Sequence, residues 1–133
     1  MNDRVVITGL GLVCAIGNNA DECFDNALEG KVGIKEVKSV EHSACYAHIG
    51  GENNAFVTPE GEDRASALCI KAAEEAVSDS GLNVSADPDR VSVVVGSCVG
   101  GAVSIEKFYR DYVADPAKAK GEDVLKMPIS AIA

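Results

Sequence analysis

The amino-acid sequence predicts an α/β fold in which helices pack on a mainly parallel sheet. Two β-branched runs, RVVIT at 4–8 and RVSVVVG at 90–96, each lead to a glycine and are typical of strands buried on both faces. Between them, residues 63–81 repeat small and apolar side chains at helical spacing. The chain of 133 residues has 47% apolar residues but only three Phe, three Tyr and no Trp, so its core must use small aliphatic side chains. Such a composition suits close helix-on-sheet layers in one domain.

The first helix is predicted from the signals at its two ends. Asn19 precedes Glu22 by three residues, which is the spacing of a capping box, and Gly30 is a stop signal. One helical face between these ends carries apolar side chains, namely Cys23, Phe24, Ala27 and Leu28. Residues 31–61 have mixed polarity and no sustained period, which predicts a loop excursion with one or two short strands.

The long helix is predicted over residues 63–81, where Gly81 is the stop. Its predicted buried stripe consists of Ala65, Leu68, Cys69, Ala72, Ala73, Ala76 and Val77. The opposite side, with Glu74, Glu75, Ser78 and Asp79, is predicted to face water. A further helix is predicted from about Val103 to Val113, and another is predicted to begin after Pro128.

The charge of the chain excludes several classes of partner. Twenty-one acidic residues against twelve basic ones give a net charge of −9, which repels the phosphates of nucleic acids and anionic membrane surfaces. The sequence contains neither a run of about 18 apolar residues nor the basic-then-apolar order of a signal peptide. It therefore predicts a cytoplasmic protein that binds neither nucleic acid nor membrane.

The five cysteines, at positions 14, 23, 45, 69 and 98, are widely spaced and include no CxxC pair. This pattern predicts reduced thiols rather than a disulfide framework or a zinc knuckle. His42, Cys45 and His48 share one polar loop but match no recognised ligand set. No metal and no cofactor are predicted.

Two glycine-rich turns resemble phosphate-binding motifs in part. Gly9 and Gly11 begin the dinucleotide pattern, but Cys14 stands where the third glycine is needed for close helix–strand contact. Gly96 and Gly101 have the spacing of a P-loop, but Ala102 and Val103 replace its Lys and Ser or Thr. A small nucleotide-binding α/β domain therefore remains only as an alternative hypothesis.

Cys14 and Cys98 are candidate nucleophiles. A reactive thiol needs a nearby base or a helix N-terminus, and both histidines lie in the 42–48 loop. Although Cys98 lies where a helix could start, the sequence favours a buried, small apolar role for it, because free cysteine is among the most buried residue types.

Four stretches in order resemble the β-ketoacyl-acyl-carrier-protein synthases, the condensing enzymes of fatty acid and polyketide synthesis. They are RVVITGLGLVCAIGN at 4–18, DRASALCIKAAEEAVSDSGL at 63–82, RVSVVVGSCVGG at 90–101 and MPISAIA at 127–133. The resemblance implies a thiolase-like fold of alternating layers, α/β/α/β/α, of which residues 1–133 would form part of the N-terminal half.

The resemblance also implies an acyltransferase that condenses an acyl thioester with malonyl-carrier protein by decarboxylative Claisen condensation. In that family a cysteine nucleophile and two histidines perform the reaction, and the family places them after the last of the four stretches. We therefore expect no catalytic residue in this chain, and we expect the chain alone to be inactive. The expected partners are an acyl carrier protein, acyl and malonyl thioesters and a second subunit in a homodimer or heterodimer.

Two groups of residues are carried over from the resemblance. The family's Gly-Ser/Thr-Gly-x-Gly-Gly loop corresponds to residues 96–101, and its variable position, which lines the end of the acyl tunnel, is Val99 between Cys98 and Gly100. Cys98 replaces a usual glycine. Many members meet the acidic carrier protein with basic residues before the long helix, where this chain has PEGE at 59–62. An alternative basic patch for the carrier protein consists of Lys118, Lys120 and Lys126. The other interpretation of these lysines is a solvated loop face.

These departures leave a second hypothesis within the family, a non-catalytic partner subunit that resembles a chain-length factor. A stand-alone structural or regulatory piece is a third hypothesis. Two strands with few helices are expected to leave apolar surface uncovered in such a piece.

Overall fold

The structure is a computed structural model that describes residues 4–126. Its helices are α1 (Ala20–Leu28), α2 (Arg64–Ser80), α3 (Ala102–Ala114) and α4 (Gly121–Leu125). Its strands are β1 (Ile34–Glu36) and β2 (Ile49–Gly51), and a 3₁₀ turn covers Pro88–Arg90. The helix predicted after Pro128 lies outside the described residues.

The chain divides into two compact units. The first comprises the residues up to Val57 together with Lys71–Leu82, and the second comprises Thr58–Ile70 together with the residues from Asn83 onward.

In the first unit, helix α1 begins as its sequence predicts. The side chain of Asn19 accepts a hydrogen bond from the Glu22 backbone N–H at 2.8 Å, while the Glu22 carboxylate accepts one from the Asn18 N–H at 2.8 Å. The capping box is thus confirmed, with Asn18 as its reciprocal donor. The loop excursion is also confirmed, because β1 and β2 pair antiparallel within it, with Ile34 opposite Gly51.

Helix α2 is confirmed over nearly its whole predicted length. Gly81 follows it with a φ of 63°, the left-handed conformation in which glycine ends helices at little cost. Of the predicted apolar stripe, Ala73 and Val77 are exposed and the other five positions are half-buried. The buried residue of the helix is Ala67, which is 5% exposed.

In the second unit, helix α3 is confirmed over Ala102–Ala114. Helix α4, which has only five residues, was not predicted from the sequence. Its first turn carries Glu122 and Asp123, acidic residues that favour a helix N-terminus.

The predictions of strands at 4–8 and 90–96 are wrong for the structure as described. Neither segment belongs to the sheet formed within residues 4–126. Apart from the half-buried Val95, their side chains are exposed instead of buried, for example Val5 at 98% and Val94 at 93%. A strand requires a hydrogen-bonding neighbour, and an apolar pattern shows only what a segment is suited to contact. The uncovered apolar surface expected from these runs is present.

The apolar face predicted for α1 is only partly buried. Cys23 is 3% exposed, whereas Phe24 and Leu28 are 64% and 72% exposed. Phe24 and Leu28 are spaced to lie on one helical face that could pack against a partner surface. The described residues do not cover this face. No helix within residues 4–126 has both the length and the apolar character required to cross a membrane.

Candidate functional site

The turn formed by residues 96–101 leads directly into helix α3. Gly100 has a φ of 51°, and its N–H donates a hydrogen bond to the Ser97 hydroxyl at 2.9 Å. Gly101 is buried, and a Cβ on it would lie 2.2 Å from the Lys126 carbonyl oxygen. Gly100 therefore supplies a left-handed conformation and Gly101 supplies space, so the two glycines have different physical roles.

This turn presents two of the predicted site residues to solvent. Val99 is 69% exposed, and Cys98 is also exposed. The prediction of a buried, small apolar role for Cys98 is therefore wrong. Cys98 lies at the tip of a surface turn, where the neighbouring backbone does not enclose the thiol.

The buried carboxylate of Asp63 contacts both helix α2 and helix α3, next to the 96–101 turn. Asp63, which is 7% exposed, accepts hydrogen bonds through Oδ2 from the N–H groups of Ala65 and Ser66 at 2.9 and 3.2 Å. Its Oδ1 accepts a hydrogen bond from the Ser104 hydroxyl at 3.1 Å. Asp63 thus caps α2 and also holds the first turn of α3, which begins where the 96–101 turn ends.

A second buried carboxylate joins α3 to α4. Asp123 is 7% exposed, and its carboxylate lies 3.0 Å from the Lys107 ammonium and 3.7 Å from the Lys126 ammonium. The hydrogen bond from Lys107 lowers the pKa of Asp123, and the same bond raises the pKa of Lys107. Both groups therefore remain charged at neutral pH, as a buried carboxylate beside two ammonium groups should.

The three candidate lysines have different surroundings. Lys118 is 79% exposed and lies 3.5 Å from Asp115, and Lys120 precedes α4. Lys126 is only 30% exposed and donates a hydrogen bond to the Gly61 carbonyl at 2.6 Å, in addition to its contact with Asp123. Lys126 therefore contributes to the structure of the second unit, while Lys118 presents its charge to solvent.

In the first unit, the glycine-rich turn that follows residues 4–8 packs against α2. A Cβ on Gly9 would lie 2.2 Å from the Ala76 carbonyl oxygen, and one on Gly11 would lie 1.8 Å from that of Ala72. Neither glycine has a positive φ. Both are required because the turn backbone touches the helix backbone.

The N–H groups of this turn are bound by carboxylates of the same chain. Leu10 donates to Asp79 at 2.9 Å, Leu12 donates to Glu75 at 2.9 Å, and Ala20 donates to the other Glu75 oxygen at 2.8 Å. Asp79 is exposed, as predicted, whereas Glu75 is half-buried, so the prediction that it faces water is wrong. Both carboxylates serve as acceptors for otherwise unpaired amides. A phosphate would have to displace these carboxylates, so the arrangement disfavours the nucleotide-binding hypothesis.

The role of Glu75 predicts a pH dependence of stability. The hydrogen bonds from the Ala20 and Leu12 amides lower the pKa of Glu75 below its ordinary value of 4.5. A lowered pKa in the folded state stabilises the fold above the ordinary pKa, and this contribution is lost as the pH falls through the folded value. We expect Glu75→Gln to lower the urea midpoint at neutral pH, and this difference from wild type to shrink below pH 4.5.

The exposed neighbour Glu74 provides the matched control. Glu74→Gln should leave the urea midpoint nearly unchanged at both pH values. A Glu75→Gln deficit that stays the same at acidic pH would contradict the proposed role of the charge.

The histidine loop contains a pair of residues rather than a metal site. His42 Nδ1 and His48 Nδ1 lie 2.9 Å apart, and His42 Nε2 lies 2.8 Å from the Val37 carbonyl oxygen. Within residues 4–126, no group of three or more His, Cys, Asp or Glu residues is arranged to hold a metal ion.

Two residues that organise the second unit, Asp63 and Asp123, were not among the site residues predicted from the sequence. A signal existed for Asp63, since an aspartate directly before a helical pattern is a typical N-cap. For Asp123 the signal was weak, because its partner Lys107 is 16 residues away in the chain.

Comparisons with known proteins show which family the chain resembles. A family described as Beta-ketoacyl synthase, N-terminal domain, matches residues 2–131. The chain is 34% identical over 114 residues to 3-oxoacyl-[acyl-carrier-protein] synthase 2 of Staphylococcus aureus (strain COL), covering 79% of this chain and 28% of that protein. It is 32% identical over 133 residues to Granaticin polyketide putative beta-ketoacyl synthase 1 of Streptomyces violaceoruber, covering 88% of this chain and 32% of that protein.

The structure is similar to a solved structure titled "The ishigamide ketosynthase/chain length factor", with a TM-score of 0.78 and 20% sequence identity. The similarity covers 96% of this chain and 34% of the other. The chain thus spans less than a third of the two curated relatives named above.

Proposed function

Since the chain belongs to the β-ketoacyl synthase family, we propose that it is the N-terminal portion of a 3-oxoacyl-[acyl-carrier-protein] synthase. Such an enzyme condenses an acyl thioester with malonyl-carrier protein in fatty acid or polyketide synthesis. The observation that carries the proposal is the family match across residues 2–131, which includes both glycine-rich turns. A cytoplasmic location and a dimeric full-length enzyme belong to the same proposal.

We assign residues 1–133 to part of the N-terminal half of the thiolase-like domain. In the proposed enzyme, the cysteine nucleophile and its two histidines are supplied by other parts of the polypeptide. The surroundings of the present residues support this assignment. Cys14 contacts Cys23, and His42 contacts His48, so neither contact is the thiol–imidazole pair that nucleophilic catalysis requires.

The proposed role of the 96–101 turn is to form the end of the acyl tunnel. Val99 projects from the turn as an exposed apolar side chain, and Gly100 lets the backbone bend beside it. A β-branched residue at this position narrows an apolar channel without filling it. Cys98 and Gly100 flank the hydrocarbon in this proposal.

The proposal is tested with the complete polypeptide encoded by the gene that contains this chain. Incubated with acyl- and malonyl-carrier protein, it is expected to form a 3-oxoacyl product, detected by mass spectrometry. Val99→Phe should shorten the longest acyl chain accepted, whereas Val99→Ala should lengthen it. Residues 1–133 alone should give no product. Turnover by residues 1–133, or no product from the complete polypeptide, would overturn the proposal.

Carrier-protein docking by Lys118 and Lys120 gives a separate prediction. Because carrier proteins are acidic, reversing two exposed positive charges should weaken their association with the chain. We expect Lys118→Glu/Lys120→Glu to lower the affinity for a labelled holo-carrier protein by about tenfold at low salt, measured by fluorescence anisotropy.

Lys38→Glu is the matched control, because Lys38 is an exposed lysine of the first unit. It should change the affinity little. Equal affinities of the double variant and this control would reject the assignment of the two lysines. Lys126 is left unchanged, since its ammonium contacts Gly61 and Asp123.

A second candidate is a non-catalytic partner subunit that resembles a chain-length factor. The similarity to a structure titled as a ketosynthase/chain length factor and the presence of Cys98 in the loop favour it. The two candidates differ at the family's nucleophile position. A cysteine there in the complete polypeptide, labelled by an acyl-thioester substrate, would favour the synthase over the partner subunit.

A further inference from the structure

The first unit contains two cysteine side chains in direct contact. Cys14 Sγ and Cys23 Sγ lie 3.2 Å apart, although the residues are nine positions apart in the chain. Forming a disulfide, with its S–S length of roughly 2.05 Å, therefore requires the sulfur atoms to approach by only about 1.2 Å. Among residues 4–126, no other cysteine pair has its sulfur atoms in hydrogen-bond contact.

Backbone contacts hold both thiols in place. Cys14 and Gly17 exchange backbone hydrogen bonds at 2.9 and 3.2 Å, and the Asn53 side chain donates to the Cys14 carbonyl at 2.8 Å. Cys23 lies in helix α1, and its sulfur would be only 2.7 Å from a Cβ on Gly17. The contact thus arises from a closed turn packed on a helix rather than from two mobile side chains.

We propose that Cys14 and Cys23 form a peroxide-reactive dithiol, which hydrogen peroxide oxidises reversibly to an intramolecular disulfide. The two residues have distinct roles. Cys14 is half-buried and reaches solvent, so it reacts with peroxide, whereas the buried Cys23 resolves the oxidised product. This inference concerns a modification site and does not depend on the condensing activity.

The electrostatic surroundings support these roles. Hydrogen bonding from the Ile16 backbone and from the Cys23 thiol lowers the pKa of Cys14. Burial raises the pKa of Cys23 to about 11. Because the thiolate is the reactive form, the first attack belongs to Cys14.

The reaction consumes one peroxide for each disulfide. The Cys14 thiolate attacks one peroxide oxygen, the O–O bond breaks, and hydroxide leaves and takes a proton to become water, which produces a sulfenic acid. Cys23 then loses its proton and attacks the Cys14 sulfur, the S–O bond breaks, and a second water forms. Two thiols and one hydrogen peroxide thus yield one disulfide and two waters, and a dithiol reductant reverses the change.

The test uses the reduced chain of 133 residues, exposed to a small excess of hydrogen peroxide and then alkylated. Digestion after glutamate separates Cys14, in residues 1–22, from Cys23, in residues 23–29, so a disulfide appears as a linked pair of peptides. We expect this pair to form before any other cysteine is oxidised. Prior oxidation of Cys45, Cys69 or Cys98, with Cys14 and Cys23 still free, would overturn the proposal.

Two further measurements separate the native contact from mere closeness in sequence. In concentrated urea the rate of disulfide formation should fall by about tenfold or more, because the folded turn no longer holds the sulfur atoms together. An equal rate in urea would refute a site created by the fold. Cys14→Ser should abolish the linked peptides, whereas Cys69→Ser, a control at another half-buried thiol, should leave their rate of formation unchanged.

Discussion

Gly11→Ala is expected to destabilise the chain by about 3 kcal/mol. The added methyl group would lie 1.8 Å from the Ala72 carbonyl oxygen and 2.8 Å from the Ala76 nitrogen. Both atoms belong to the α2 backbone, so a side-chain rotation cannot relieve the clash. The turn must move away from the helix, which also breaks the hydrogen bond from Leu12 to Glu75. The loss should appear as a lower midpoint in urea denaturation followed by circular dichroism.

Gly51→Ala provides a matched control within the same unit. A methyl group there would lie 3.4 Å from Ile34 Cδ1 and 3.5 Å from Ala15 Cβ, which are ordinary contacts. Its stability should remain within about 0.5 kcal/mol of wild type. If the two variants unfold at the same urea concentration, the close approach of the Gly11 backbone to α2 is not required for stability.

Asp63→Ala is expected to destabilise the second unit by about 2–3 kcal/mol. The substitution removes the acceptor for the Ala65 and Ser66 amides and leaves the Ser104 hydroxyl without this partner. The expected consequence is fraying of the first turns of α2 and α3. This fraying is measured by hydrogen exchange at Ala65, Ser66 and Ser104 and by the urea midpoint.

Asp63→Asn distinguishes the hydrogen bonds from the charge. An amide side chain keeps an acceptor for the N-terminal amides of α2, and its NH₂ can donate to the Ser104 oxygen. This variant should therefore lose less than about 1 kcal/mol. A loss equal to that of Asp63→Ala would assign the effect to the negative charge instead of the hydrogen bonds.

Helices α1, α2 and α3 could be predicted from the sequence because their signals are local. Asn19 and Glu22 define the start of α1, and Gly81 defines the end of α2, through contacts with residues a few positions away. The fold class is confirmed by the similarity to the ketosynthase/chain length factor structure. The fold class could be predicted because the four stretches that resemble the β-ketoacyl synthases occur in the family's order along the chain, and this order can be read from the sequence alone.

Features that depend on distant partners could not be predicted in the same way. The apolar runs around Val5 and Val94 indicate strands, but whether they become strands depends on neighbours that a local pattern does not contain. Similarly, Glu75 has the sequence context of a solvent-facing helical residue. Its actual acceptor role depends on amides 55 and 63 positions away, beyond the range of helical periodicity.

These distant partners also affect the order of events during synthesis. The Leu10 amide and the Asp79 carboxylate are separated by 69 residues, so the first turn lacks its acceptor until α2 has emerged from the ribosome. During that interval, the apolar segment that includes Val5 and Ile7 precedes a turn that is not yet held by the helix. The turn can therefore be fixed to the helix only after the first 79 residues have been synthesised.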